Sequence, residues 1–264
     1  MKTGLCSITF RQLTAEEIVR LVEKSGLDAI EWGGDIHVPP GDLVQAEAAR
    51  TLTENAGLQV GAYGSYYKIL DEENRPVDFQ PVLDSALALG ADTIRIWAGQ
   101  KGSDCARPAD RDRIVEESRK ISQAAADHHV RIAFEFHNNT LTDSNESAQR
   151  LLQEIDHPNI YTYWQPMYWG PDLNCRLQGL ELLKDRILNL HVFHWLYDKS
   201  KPTWLEAVNR RPLEEGKEDW KKYLSIPLPE RERFAFLEFV RNDDPSQFLE
   251  DAQVLATWVQ NAKS

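Results

Sequence analysis

Cysteine is scarce in this chain, three residues in 264, and Cys6, Cys105 and Cys175 lie far apart. Their odd number and wide spacing fit neither a disulfide framework nor a zinc site, so a reducing cytoplasm is the expected compartment. Positive charge is also short. Thirty Lys and Arg stand against 42 Asp and Glu, a formal net charge of −12, which argues against a nucleic-acid partner because phosphate binding needs a net basic face. No apolar run approaches the roughly 18 residues of a membrane span. The opening MKTGLCSITFRQ has neither the apolar length nor the small-residue cleavage site of a secretory signal. No GxGxxG follows the first apolar run, which weakens a dinucleotide-binding reading. No Gly/Ser linker or break in composition divides the chain.

What is present is alternation. GLCSITF precedes TAEEIVRLVEKSG, where Ile18, Leu21 and Val22 recur at helical spacing and Gly26 stands where a C-cap belongs. The β-rich runs DAIEW, LQVGAY, DTIRIWA, VRIAFEF, NIYTYWQ, ILNLHVF and FAFLEFV each lead into an amphipathic stretch. After ILNLHVF the chain is irregular until EDWKKYL. Eight strand–helix units predict an α/β chain folded as a single (β/α)8 TIM barrel over residues 1–264, since such barrels take about 250 residues.

Strand parity then sorts the side chains. One set packs outward on helices and the other points into the barrel. On the fifth strand Ile132, Phe134 and Phe136 form the outward set, leaving Ala133, Glu135 and His137 inside. On the sixth, Ile160, Thr162 and Trp164 face out and Tyr161, Tyr163 and Gln165 face in. On the seventh, Leu188, Leu190 and Val192 face out, and Asn189, His191 and Phe193 face in. On the eighth, Ala235, Leu237 and Phe239 face out, and Phe236 and Glu238 face in. The same rule turns Glu31 inward on the second strand, and Arg95 and Trp97 on the fourth. The polar inward groups lie toward the C-terminal strand ends, where barrel active sites are built. Inward carboxylates beside an imidazole need compensation. Arg95 can offset one. A divalent ion would offset both Glu135 and Glu238 and also use His191 and Gln165. The donor set suits Mn²⁺, Mg²⁺, Zn²⁺ or Co²⁺ alike.

The order Glu, ligand, His, Glu on strands five to eight resembles the xylose isomerase-like superfamily. That group contains sugar isomerases, ketose 3-epimerases, inosose and 3-dehydroshikimate dehydratases, and endonuclease IV. GLDAIEW is similar to the family's second-strand GFDGIEL, and RPLEEGKEDWKKYL to its PLGxGxxDW segment. The resemblance covers essentially the whole chain and implies that Glu135, His191 and Glu238 are metal ligands. Gln165 departs from it, standing where the family usually has Asp. An amide oxygen carries no charge, so weaker metal affinity and a more electrophilic ion are expected. Asp172, the nearest downstream Asp, is expected to begin the next helix.

Enzymes of this kind remove a proton next to a carbonyl and stabilise an enediolate. Glu135 and Glu238 are the expected acid–base pair. A dehydratase shares that first step and then expels a β-hydroxyl with help from an acid, for which His137 and His194 are candidates. Tyr66, Trp97, Tyr163, Trp169 and Trp195 fall at or just after strand ends, where flat rings can stack on sugar C–H faces. Glu31, Tyr66, Arg95, Trp97, Trp169 and His194 form the expected substrate-binding set. Arg95, Lys68, Lys199, Lys201, Arg210 and Arg211 are candidate holders of a phosphate or carboxylate. The leading expectation is a metal-dependent isomerase or epimerase of a small sugar, keto-sugar or polyol derivative. The alternative is a lyase of a keto-polyol, inosose or 3-dehydroshikimate dehydratase-like. An abasic-site endonuclease ranks below both, because seven histidines, with His128, His129 and His157 in or after helices, are few for a multi-zinc cluster. A non-catalytic sugar-binding barrel is kept open by Gln165. No membrane contact is expected, and a homo-oligomer is compatible with the chain.

Overall fold

A computed structural model describes residues 1–168 and 172–262. In chain order its elements are β1 (Lys2–Cys6), α1 (Ala15–Ser25), β2 (Ala29–Gly33), α2 (Leu43–Asn55), β3 (Gln59–Lys68), α3 (Gln80–Leu89), β4 (Thr93–Trp97), α4 (Pro108–Ala126), β5 (Arg131–Phe134), α5 (Asn145–Ile155), β6 (Ile160–Trp164), α6 (Leu173–Leu183), β7 (Ile187–Val192), β8 (His194–Tyr197), α7 (Trp204–Ala207), β9 (Val208–Arg211), α8 (Lys217–Leu224), β10 (Phe234–Leu237) and α9 (Pro245–Asn261). Strands β1, β10, β7, β6, β5, β4, β3 and β2 close in that order into a parallel barrel. With helices between successive strands, this is the (β/α)8 TIM barrel that the alternation predicts. No helix among the described residues is long and apolar enough to cross a membrane.

Local chemistry sets the helix ends. Thr14 and Glu17 form a capping box at the start of α1, and Gly26 ends that helix in the left-handed conformation. Asp172 caps α6 by accepting from the Cys175 amide, the role expected of it. Ile30, Ile94, Ile132, Phe134, Leu190 and Leu237 belong to the large core between strands and helices. A second, smaller cluster of Ala29, Ala62, Ala133, Tyr163, Leu188, Phe234 and Phe236 fills the barrel itself. Phe236 takes so much of that space that a Cβ on Gly4 or Gly61 would lie 2.6 or 2.7 Å from its ring.

Three elements depart from the parity reading. The β6–β7 pairing steps from Thr162↔Ile187 to Tyr163↔Asn189. Leu188 is therefore an extra residue, a bulge, and it joins the inner cluster instead of facing the helices. Beyond it, Leu190 and Val192 return to the outer core. Phe239 also fails to pack outward. It adopts φ +52°, and its ring lies under the Arg210 guanidinium at 4.3 Å. Finally, the irregular stretch after β7 contains an antiparallel pair, β8 with β9, which the sequence pattern did not reveal.

Candidate metal centre and active site

Glu135, Gln165 and Glu238 each lie one residue beyond the ends of β5, β6 and β10, and His191 is the penultimate residue of β7. Backbone bonds fix two of them: the Glu135 amide donates to Ile96 O (2.9 Å) and the Glu238 amide to Val192 O (3.1 Å). Ligand atoms of Glu135, His191 and Glu238 all lie within 4.8 Å of one another, and all three residues are buried. His191 Nδ1 is the focus, 3.0 Å from Gln165 Oε1, 3.4 Å from Glu238 Oε2 and 3.8 Å from Glu135 Oε1. Its other nitrogen, Nε2, faces Glu31 Oε1 at 3.3 Å. A proton on Nε2 donates to Glu31 and leaves the Nδ1 lone pair for the oxygen-lined side, the arrangement by which carboxylates orient metal-binding histidines.

Arg95 ties this centre to the barrel wall. Its Nε donates to Glu31 Oε1 at 2.9 Å and its Nη1 donates to Glu135 Oε2. The Trp97 indole also donates to Glu135 Oε2, at 2.5 Å. Burial is the largest influence on both carboxyls and raises their pKa, but Arg95 together with His191 at Glu31, and together with His137 and His191 at Glu135, outweighs it. Glu135 is held below the usual carboxylate range and Glu31 well below it. Glu238 goes the other way: burial pushes it up, and the Glu135 charge outweighs part of the relief from His191. Burial lowers His191, yet Glu238 and Glu31 hold it above its ordinary value. Cys6, at the end of β1, donates from Sγ to Glu31 at 3.0 Å, and burial followed by the Glu31 charge pushes its thiol well up.

Glu238 has no Lys or Arg partner within ion-pair distance among the described residues; His191 is its neighbour. Removing one partner from a buried ion pair typically costs ~3–5 kcal/mol, so buried Glu135 and Glu238 sharing one imidazole leave room for a further cation. Two carboxylates, an imidazole and an amide oxygen fit a divalent ion.

The mouth above the centre gathers several of the other expected residues. Tyr66 adopts φ +56° where β3 shifts register between Gly64 and Tyr67. Its ring lies 5.2 Å from the Arg95 guanidinium and 5.7 Å from Trp97. Positive φ at Tyr66 and Phe239, each costing on the order of 1–3 kcal/mol, is strain of the kind that clusters at functional sites. The His137 ring stacks on Trp97 with centroids 4.5 Å apart. Its Nδ1 lies 2.7 Å from the Asn138 carbonyl, which makes Nε2 the nitrogen free to exchange a proton. Lys68 Nζ lies 5.2 Å from the Trp97 ring. Phe193 and Trp195 stack at 4.1 Å, and Trp195 reaches Phe239.

Other expected residues lie elsewhere. Glu31 is fully buried beneath His191, a supporting position rather than a place in the open mouth. Tyr163 is likewise fully buried, and its hydroxyl accepts from Asn189, so it cannot stack on a sugar. His194 packs against Gly216; burial lowers its pKa, opposed by Glu215 and Asp219. Arg211 pairs with Glu215 and Arg210 with Asp243. Trp169 falls outside the described residues. The sequence reading missed Cys6, although the β1–β2 register places it beside Glu31 and its parity with Gly4 on β1 carries the signal.

The family model described as xylose isomerase-like TIM barrel matches residues 19–254. A 3-dehydroshikimate dehydratase of Bacillus anthracis is 29% identical over 173 residues, 61% of this chain and 60% of that protein. The match therefore spans about three fifths of that curated relative's length. The crystal structure of the probable 3-DHS dehydratase AsbF of Bacillus anthracis superposes with a TM-score of 0.77 at 22% identity, covering 97% of this chain and 99% of that one. D-Allulose 3-epimerase from Methylomonas sp. superposes with a TM-score of 0.71 at 13% identity, covering 97% of each chain.

Proposed function

Because the chain belongs to the xylose isomerase-like TIM barrel family, we propose that it is a metal-dependent lyase that removes a proton next to the carbonyl of a small polyhydroxylated keto acid and expels water, with 3-dehydroshikimate as the type substrate. The observation that carries this reading is the convergence of Glu135, His191 and Glu238 at the barrel mouth, with no Lys or Arg paired to Glu238 among the described residues and His191 as its neighbour. Glu135, His191, Glu238 and Gln165 would hold the ion, which when bound polarises a substrate carbonyl.

The chain's own groups divide the remaining work. Arg95 and the Trp97 indole hold Glu135 Oε2 in place. Glu238, which has no Lys or Arg partner among the described residues, takes the proton from carbon. His137 Nε2, at the rim beside Trp97, delivers a proton to the departing hydroxyl. Tyr66, Trp97 and the Phe193–Trp195 stack keep water from the reacting carbons. Lys68 has a hydrogen bond to Gln100 and no ion pair with a carboxylate among the described residues. A cation so placed favours a substrate that bears a carboxylate, in line with what the Bacillus anthracis relative is named for.

A second reading, epimerisation of a keto-sugar, is favoured by the presence of two carboxylates, Glu135 and Glu238, that converge beside His191 Nδ1 and by the likeness to an epimerase fold. Incubation of the Mn²⁺-loaded protein in D₂O with 3-dehydroshikimate, and separately with ketohexoses, distinguishes the two. Loss of water from 3-dehydroshikimate, stopped by Glu135→Gln and by Glu238→Gln, is the expected result. Deuterium gain at the carbon next to a ketohexose carbonyl, without water loss from the acid, would move the assignment to the epimerase. Neither change would sink both readings.

A further inference from the structure

A cavity of about 730 Å³ lies away from the mouth, on the helix-facing side of the barrel. None of the residues assigned to the metal centre lines it. It is bounded by side chains of α6, α8 and α9 and by the segment after α8, over Trp164 of β6 and Leu190 of β7. The walls are apolar and aromatic: Trp164, Leu180, Leu190, Tyr223 and Trp258.

The charge on this cavity is unlike the rest of the molecule. The chain carries a net −12, yet among the described residues no Asp or Glu lines the space, while Lys217, Lys221 and Arg233 do. Lys217 is paired with Glu214. Arg233 is 5% exposed and has no carboxylate in ion-pair range among the described residues. Its Nη1 donates to Pro229 O at 3.2 Å and its Nη2 to Ile187 O at 3.0 Å, while its Nε is buried without a partner. Burial, with Arg231 nearby, lowers its pKa to about 10. The guanidinium therefore stays charged at neutral pH, with two carbonyl acceptors but no counter-ion among the described residues, and a buried charge without one is costly.

We propose that this cavity is a second binding site, for an amphiphilic carboxylate whose anionic end meets Arg233 and whose apolar body lies among Trp164, Tyr223 and Trp258. The volume suits such a ligand, since small-molecule pockets run to about 300–1,000 Å³ with apolar walls and a few placed polar groups. The site is independent of the reaction assigned to the mouth.

Decanoate is the probe, with decanol as its uncharged counterpart, and binding is read by calorimetry and by the tryptophan emission of the metal-free protein. Saturable binding of one decanoate per chain is expected, at least tenfold tighter than decanol. Arg233→Met should weaken decanoate at least tenfold and Arg233→Lys should restore most of it. Leu180→Trp, which fills the space, should abolish binding. Glu135→Gln should leave it unchanged. Absence of saturable binding to the wild type overturns the proposal, as does equal affinity for decanol or binding that survives Leu180→Trp. If Arg233→Met does not fold, the comparison of decanoate with decanol on the wild-type protein still decides the matter.

Discussion

Gln165 sets how much negative charge faces the metal centre. With Glu135 and Glu238 it supplies the oxygens around His191 Nδ1, but it contributes a dipole where a carboxylate would contribute a full charge. Gln165→Asp is expected to tighten Mn²⁺ binding by about tenfold or more, each tenfold being ~1.4 kcal/mol, and to slow turnover, because a more neutralised ion polarises a carbonyl less. Calorimetric titration checks this; unchanged affinity would place Gln165 outside the ligand set. Glu31 acts on the opposite face of the same imidazole. Glu31→Gln should weaken Mn²⁺ binding by about 10–100-fold and alter the His191 tautomer seen in ¹⁵N NMR of the metal-free protein. A purely structural role for Glu31 would lower stability and leave the tautomer alone. Parity along β5, β6, β7 and β10 was enough to bring Glu135, Gln165, His191 and Glu238 together, because the residue just before each of them, Phe134, Trp164, Leu190 or Leu237, packs outward as expected. Parity could not tell that Glu31 would lie under His191 instead of in the mouth, since both positions point inward. Depth along the barrel axis depends on how neighbouring strands stagger.

At the scale of elements, the strands and the capped helices were legible because their signals are local. Thr14, Glu17 and Gly26 announce α1, and Asp172 announces α6. Two features are set instead by neighbours. The Leu188 bulge exists because β7 must match β6 on one side and β10 on the other, and nothing within ILNLHVF marks it. The β8–β9 pair is four residues per strand and largely half-exposed, too short and too polar to show an alternation of its own. It matters because it carries Trp195 and Arg210 to Phe239 at the mouth. Strand spacing also constrains β3. A Cβ on Gly64 would lie 2.7 Å from Arg95 Nη2 and 2.9 Å from Glu31 Oε1. Both groups are buried and already bonded to each other, so neither can yield cheaply. Gly64→Ala should therefore cost about 1–3 kcal/mol, the usual range for overpacking, read as a lower urea midpoint. It should also weaken metal binding through displacement of Arg95 from Glu135. A variant with unaltered stability would mean that β3 can move away from β2 and β4 at this point.

At the scale of the whole molecule, the excess of acidic groups makes the pH dependence of stability a sum over many carboxylates, most of them exposed and individually weak. Asp251 on α9 stands apart. It is buried, and Oδ1 accepts from the Leu213 amide at 2.9 Å and from Gln247 Nε2 at 3.0 Å, which anchors the segment before α8 to the last helix. Burial raises its pKa to about 6, against the opposing pull of the Leu213 and Gln247 bonds; Glu250 adds to the rise and Arg241 opposes it. In the unfolded chain an Asp titrates near ~3.9. Between these two values the folded protein keeps a proton that the unfolded chain has released. Stability linked to Asp251 is therefore fully present below about pH 4, falls as pH rises through about 6, and is level above that. Asp251→Asn keeps the accepting oxygen and removes the titration. The difference in urea midpoint, wild type minus variant, should decline from pH 4 to pH 6.5 and then stay constant. Because the change is confined to residue 251, pH effects common to both proteins, those of the carboxylates at the mouth among them, cancel in that difference. A difference independent of pH across this window would mean that Asp251 is ionised in the folded protein throughout, and that its two hydrogen bonds outweigh its burial.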